Sequence, residues 1–577
     1  MKRFGMTGLL LLSVIGLTVA TRAGEDRKTV WDFYETHPHV QDCFAWGLYD
    51  IPMPPVAGGL DRETLQYGID IMAENGFTAS WGHAYSHRFV KPPASEDDIL
   101  FIRPRYNSPM PKNPVLSELG EWAYGEMYPG REMKSLYNVQ HWFRYNWPLF
   151  SESESDPPTG AFMTEEELAA VETRTRGVLD FITQLSKTYP DTIMGLVTDD
   201  EPDLTPGAKA AVDILERNTG MFATTIQPSW SGFKQWAPYM QPIGGDWYVT
   251  LNMYRKSWVI ADRLRWLNEN YPDKGFLFMP LLTRYGDHDT TLPGLKDALT
   301  SRIELRLQIW QAVALGCKSV YGWSTGGGVE WAGAGASPIN ALMRPTNGLW
   351  PELKDLGLTI VPIGPILLPC QADTSTPITV ACGTVRYPEF NGPALDYGLL
   401  RDVRPEHDRY FLIPWNNDID SAQTGTLTLP PQLVKGRKVY DLLALKEAAL
   451  AAGSRLEIRL PPGSGHIYAV ATPDEYAACR DTILRHRVRY PRVMATMRRE
   501  KATAFSRLDA DEADRLIAAA KQAVMERHWG DATARYREAA QALDKAEEKV
   551  RSLVQTKQVL AQLATVLTET DELLRTH

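Results

Sequence analysis

Cysteine is scarce in this chain: five residues in 577 (Cys43, Cys317, Cys370, Cys382 and Cys479), none of them in a CxxC spacing. That excludes a disulfide-stapled scaffold and leaves no thiolate cluster for zinc or redox chemistry. At most two disulfides can form, with one thiol left over. Cys370 and Cys382 are the most plausible pair, bridging a β-hairpin; the alternative is five unpaired thiols packed as small hydrophobes. A basic excess is lacking too. Lys and Arg number 61 against 71 Asp and Glu, a net charge of −10, which argues against nucleic acid or an anionic membrane surface as the main partner. After the first twenty residues no apolar run is long enough to span a bilayer as a helix.

What is present is ordinary globular composition, 44% hydrophobic and 23% charged, so most of the chain is expected to fold. At this length it is expected to divide into several domains. Aromatic residues are plentiful, with 17 Trp, 24 Tyr and 17 Phe. Trp and Tyr offer a flat apolar face with a polar edge, which suits both a large core and the stacking of sugar rings.

Lys2 and Arg3 precede an apolar run over residues 8–20, and Ala20 and Ala23 are small residues suited to cleavage. This is a secretory signal pattern over residues 1–23 and predicts export, to the periplasm or outside the cell.

Between residues 43 and 325 short apolar runs alternate with amphipathic stretches, the pattern of a parallel sheet covered by helices. Strands are expected at 44–49, 77–81, 136–142, 193–197, 221–226, 247–253, 276–282 and 317–323. Helices are expected at 61–75, stopped by Gly76; from the Thr164/Glu167 capping box to Pro190; from Thr205 and Pro206 to Gly220; and at 257–270 and 295–315. Eight β/α units match a (β/α)8 TIM barrel spanning residues 24–345, whose chemistry would sit at the C-terminal ends of the strands. Short β segments within 346–472 then predict a small β-sandwich. From 473 to 577, Gly and Pro thin out and Ala, Glu, Arg, Lys and Leu dominate, predicting an α-helical hairpin or bundle. Its helices are expected at 511–528, after Gly530, and at 557–574, with packing, self-association or partner contact as their role.

The sharpest chemical signal is the fourth strand, which runs into Thr198-Asp199-Asp200-Glu201-Pro202-Asp203. Carboxylates crowded at a barrel mouth push at least one pKa up, and a carboxyl kept protonated near neutral pH is what protonation of a glycosidic oxygen requires. Glu201 is the residue that fits. The plainer alternative is an acidic loop capping the next helix.

Asp200-Glu201-Pro202 resembles an element found after the fourth strand in the large clan of retaining (β/α)8 glycoside hydrolases, the β-galactosidase-like enzymes among them. The resemblance implies Glu201 as general acid/base and Asp200 as a neighbour that contacts the sugar. The run from Gln308 to Trp323 is similar to the seventh helix and eighth strand of such enzymes, and Trp323 would floor the sugar site. Asn252-Met-Tyr254 is placed where clan members carry a Tyr that hydrogen-bonds the nucleophile. The likeness spans residues 40–472 in architecture and in these short motifs.

The pattern breaks at the seventh strand, where the clan has a Glu nucleophile and this chain reads FLFMPLLTRYGDHDTT. Asp287 is the best-placed carboxylate there, ahead of Asp289, as nucleophile or as base of an inverting pair. Glu330, after a run of three glycines, is a second choice. Asp50, His83 and His141 lie near strand ends as candidate sugar contacts. No cofactor and no metal is required by this reading. Two rivals stand beside it. One is a non-catalytic carbohydrate-binding barrel. The other is a metal-dependent hydrolase suggested by His37-Pro-His39, although that pair precedes the first strand and so falls on the wrong side of the barrel.

Overall fold

In the computed structural model the described residues are 28–49, 51, 61–81, 89–103, 108–139, 142, 164–200, 204, 206–247, 258–280, 282, 301–322, 349–387, 390–502 and 508–576. The signal-like segment, residues 1–23, lies outside them.

Eight strands close into a barrel in chain order: β1 (Ala45–Leu48), β2 (Ala79–Ser80), β3 (Lys134–Asn138), β4 (Ile193–Asp200), β5 (Ala223–Gln227), β6 (Ile243–Gly245), β7 (Phe276–Phe278) and β8 (Cys317–Gly322). Every pairing is parallel, and β8 returns to β1 with Ser319 opposite Ala45. This is the expected TIM barrel.

The helices follow from local signals. A short α1 (Val30–Thr36) comes first. Asp61 accepts the Thr64 N–H at 2.8 Å to start α2 (Arg62–Glu74), and Gly76, at φ +80°, turns the chain into β2. Thr164 and Glu167 form the capping box that opens α3 (Glu165–Thr188). α4 (Pro206–Thr219) connects β4 to β5, and α5 (Trp230–Trp236), capped by Ser229, connects β5 to β6. α6 (Val259–Asn270), α7 (Arg302–Ala314) and α8 (Leu349–Ile360) complete the outer ring.

Three sequence expectations need correction. The sixth strand is Ile243–Gly245, not 247–253. Its Gly-Gly content breaks the apolar run that marks a buried strand, and the apolar character resumes only at Trp247. α5 was not expected at all, because its seven residues are too few to show a helical period. α7 begins at Arg302, where Ser301 and Glu304 form a capping box, rather than near 295.

The N-terminal end of the barrel is plugged. α1 and the turn after it bring Phe33 against Phe222 (centroids 5.4 Å apart) and the His39 ring to the carbonyl of Met194, the second residue of β4, at 3.0 Å. Tyr34, Val40 and Cys43 close a small cavity there with Met194, Leu277 and Tyr321. Burial pushes the Tyr34 hydroxyl well above its usual pKa. The C-terminal end is thus the end left for a site.

A β-sandwich follows. A sheet of six strands, with Tyr410–Asn416 and Tyr468–Ala471 at its centre and Leu395–Asp402 beside them, faces a three-stranded sheet of Thr379–Ala381, Gln423–Thr428 and Arg455–Leu460. Leu395, Leu412, Leu427, Ile458 and Val470 fill the space between them. The other face of the larger sheet, with Leu400, Phe411, Ile413 and Trp415, belongs to the barrel core. Closeness there has a cause: a Cβ on Gly398 would stand 1.8 Å from the carbonyl oxygen of Ala314 in α7. All five cysteines are free. Cys370 and Cys382 sit in and beside strands of different sheets, so the hairpin bridge is replaced by the alternative of unpaired thiols.

The tail is α9 (Pro473–Arg487), α10 (Arg489–Ala502), α11 (Leu508–Met525) and α12 (Trp529–Thr576). The break between α11 and α12 falls at Arg527, with φ 57°, and Gly530 lies inside the first turn of α12; the stretches expected after Gly530 and at 557–574 are one continuous helix. The tail docks on the barrel through charges. Arg489 donates to the carbonyls of Phe77, Arg131 and Glu132 at 3.0, 3.1 and 2.8 Å, Arg492 pairs with the Glu132 carboxylate, and Arg131 bridges Asp70 and Glu500.

Candidate active site

The barrel strands project their last residues to one rim. On four adjacent strands those residues are polar: Asn138 ends β3, Asp200 ends β4, Gln227 ends β5, and Asp246 follows β6. On the other half the chain leaves the strands as Met279, Gly322, Tyr49 and Trp81. Tyr49 stacks on Trp81 at 6.0 Å, and Trp81 meets Tyr321 edge-on at 5.4 Å. The rim therefore has a polar arc and an apolar arc that carries Tyr49 and Trp81.

β4 is the longest barrel strand and stays paired to its end, with Asp199 opposite Thr225 and Asp200 opposite Ile226. The register slips at Thr198, whose hydroxyl donates to the Thr224 carbonyl at 3.3 Å. One extra residue at this point is a bulge, the device that re-aims side chains at barrel rims. Gln227 donates to the Thr225 hydroxyl at 2.9 Å and is buried, as is Asn138. Asp246 is 1% exposed, and its N–H reaches the Gln227 carbonyl at 3.4 Å. Next to it Trp247 stacks on Phe276 at 5.2 Å, and Arg263 of α6 stands 4.8 Å over the Trp247 ring, with burial pushing its pKa down to about 10.

Neighbouring strands are ~4.8 Å apart, so carboxyl-bearing positions at the ends of β4 and β6 are separated by roughly 10 Å of wall. Side chains from such positions can close to the ~5–9.5 Å that paired-carboxylate chemistry uses. Asp246 was missed in the sequence because the sixth strand was sought four residues too late. The signal was there: an acid immediately after an apolar-Gly-Gly step.

Of the expected site residues, Asp200 is the last residue of β4. Glu201 is the next in the chain, and it lies outside the described residues, as do Asp287, Tyr254, Trp323, His83, Asn252 and Glu330, together with Asp50 and His141. Asn252 and Tyr254 follow the last residue of the sixth strand by seven and nine positions in the sequence.

Two of the abundant tryptophans are core residues rather than sugar platforms. Trp236 is fully buried, and Trp258 is stacked between Tyr387 and Phe390 at 5.0 and 4.9 Å while its indole N–H donates to the Asn417 carbonyl. Trp258 thus joins the barrel to the sandwich. His37 and His39 lie at the plugged N-terminal end, away from the rim. Among the described residues no group of three His, Cys, Asp or Glu could hold a metal ion. No described helix is long and apolar enough to cross a membrane.

No family model and no curated protein sequence matches the chain. Solved structures of glycoside hydrolases match it in outline. An alpha-amylase from Malbranchea cinnamomea is 16% identical, over 76% of this chain and 96% of that one, at a TM-score of 0.39. An alpha-amylase from Geobacillus thermoleovorans is 14% identical, over 75% and 99%, at 0.42. A GH27 β-L-arabinopyranosidase from Geobacillus stearothermophilus is 10% identical, over 76% and 98%, at 0.39. At such scores the likeness adds nothing to what the strand order already establishes about the fold.

Proposed function

We propose that the protein is an exported glycoside hydrolase, secreted or periplasmic, that cleaves O-glycosidic bonds of an oligo- or polysaccharide with Glu201 as general acid/base. The observation that carries this is positional: Asp200-Glu201-Pro202 begins at the last residue of the fourth strand of a closed eight-stranded barrel, on the end that α1 does not plug. Protonated Glu201 gives its proton to the glycosidic oxygen as the bond to the anomeric carbon breaks. A second carboxylate then attacks that carbon or deprotonates the water that does.

Asp287 is the partner carboxylate on this reading, and Asp246 is its competitor, being a carboxylate on the same rim two strands from Asp200. Asp200, His83, Asn252, Tyr254, Trp323 and Glu330 hold the sugar, the polar ones by hydrogen bonds and Trp323 by its face. A non-catalytic sugar-binding barrel is the second reading, favoured by one feature: β7 is followed by no Glu before Asp287.

Kinetics on a panel of aryl glycosides and polysaccharides, for the wild type and Glu201→Gln, separate the readings. Turnover lost in the variant supports the hydrolase. Binding without turnover in the wild type supports the second reading, and turnover abolished by a chelator overturns both.

A further inference from the structure

The far half of α12 leaves the body of the protein. Up to Ala546 its inner face (Ala532, Tyr536, Ala539, Leu543) is buried, with α10 and α11 against it. Every described side chain over residues 547–565 is exposed, Val559 at 61%, Leu560 at 58% and Leu563 at 53%. The helix nevertheless continues to Thr576, about 45 Å beyond Ala546 at 1.5 Å per residue. A single helix with no packed face is marginal in water, so this length of apolar-edged helix needs a partner.

The sequence repeats with the period that supplies one. Leucines fall at 553, 560, 567 and 574, seven apart, with Val559, Val566 and Leu573 at the same interval beside them and Leu563 between. A seven-residue repeat keeps one edge of a helix facing a second helix along its whole length. The charges say which helix. Arg551 and Lys557 lie in the first half, and Glu569, Asp571 and Glu572 in the second, with Arg575 the one base at the end. A parallel, in-register pair sets like charge on like. An antiparallel pair sets the basic half of one copy on the acidic half of the other, so the segment is complementary to itself.

We infer that residues 550–576 form an antiparallel two-stranded coiled coil with a second copy of this chain. The sedimentation-equilibrium mass of the full-length protein at micromolar concentration tests it. The wild type is a dimer. Leu560→Glu with Leu567→Glu is a monomer whose thermal unfolding and hydrolytic activity match the wild type, because both positions lie in the far half of α12, beyond its buried face. Lys557→Glu weakens the dimer at least about tenfold, and adding Asp571→Lys restores it. Leu553→Cys gives no covalent dimer on oxidation, since the two copies of residue 553 lie at opposite ends. A monomeric wild type, a dimer that survives the double leucine substitution, or rapid cross-linking through residue 553 overturns the inference.

Discussion

Asp200 of β4 stands opposite Ile226 of β5, and the residue after Ile226, Gln227, stands opposite Gly245, directly before Asp246. Three adjacent strands thus end within one residue of a common level, β4 in a carboxylate and β6 directly before one. Asp287 comes from the sequence pattern and Asp246 from the structure, and a pair of variants decides between them. Asp287→Asn is expected to lower kcat/KM by about 10²- to 10⁴-fold, the usual worth of a general base, and by more if the residue is a nucleophile. Asp246→Asn is expected to cost less. The reverse order of the two losses would transfer the partner role to Asp246.

Gly398 is required by packing. It lies inside the strand Leu395–Asp402, where an Ala methyl would be driven into the Ala314 carbonyl. Gly398→Ala is expected to destabilise the protein by about 1–3 kcal/mol, as overpacking does, and urea unfolding measures it. An unchanged midpoint would mean that the sandwich is not seated on α7.

The same residue illustrates what the sequence could and could not tell. Runs with an unbroken apolar pattern, such as β1, β4 and β8, were legible, and so were helices announced by caps at Asp61 and Thr164. The strand around Gly398 and the Gly-Gly strand β6 were not. There the side chain is absent because another element's backbone or ring comes close, and that reason exists only in the folded state. The bulge at Thr198 and the core roles of Trp236 and Trp258 were hidden for the same cause. The Asp-Glu-Pro step was legible because it directly follows the unbroken apolar run of β4, and Asp246 was lost through the misplaced sixth strand.

The docked tail carries a pH dependence. His486 of α9 is largely buried beside Arg485, Arg489 and Arg492, with Asp42 as an opposing charge, and burial first and these arginines second lower its pKa from 6.5 to about 4. It is neutral in the folded protein. As pH falls from 6.5 to 4 the unfolded chain takes up a proton that the folded chain refuses, so stability is held above 6.5 and lost on the way down. Burial lowers His37 and His39 in the same direction. The melting temperature is expected to fall across that window, and His486→Gln to fall less steeply. Equal slopes for the two proteins would contradict the assignment.

Free cysteines make a count possible. Cys317, Cys370 and Cys479 are buried, and desolvation raises all three thiol pKa values, which keeps them unreactive in the folded state. Titration with an aromatic disulfide reagent after unfolding without reductant is expected to find five thiols. Three would mean that one bridge forms.

The proposed reaction turns on one proton. Hydrolysis of a substrate with a poor leaving group, measured for the wild type and for Glu201→Gln, reads it most directly, because such a leaving group depends on protonation in the transition state. The expected result is a loss of about 10²- to 10⁴-fold in kcat/KM together with loss of the basic limb of the pH profile. Turnover and pH profile unchanged by the substitution would contradict the assignment of Glu201, and with it the function proposed for the rim.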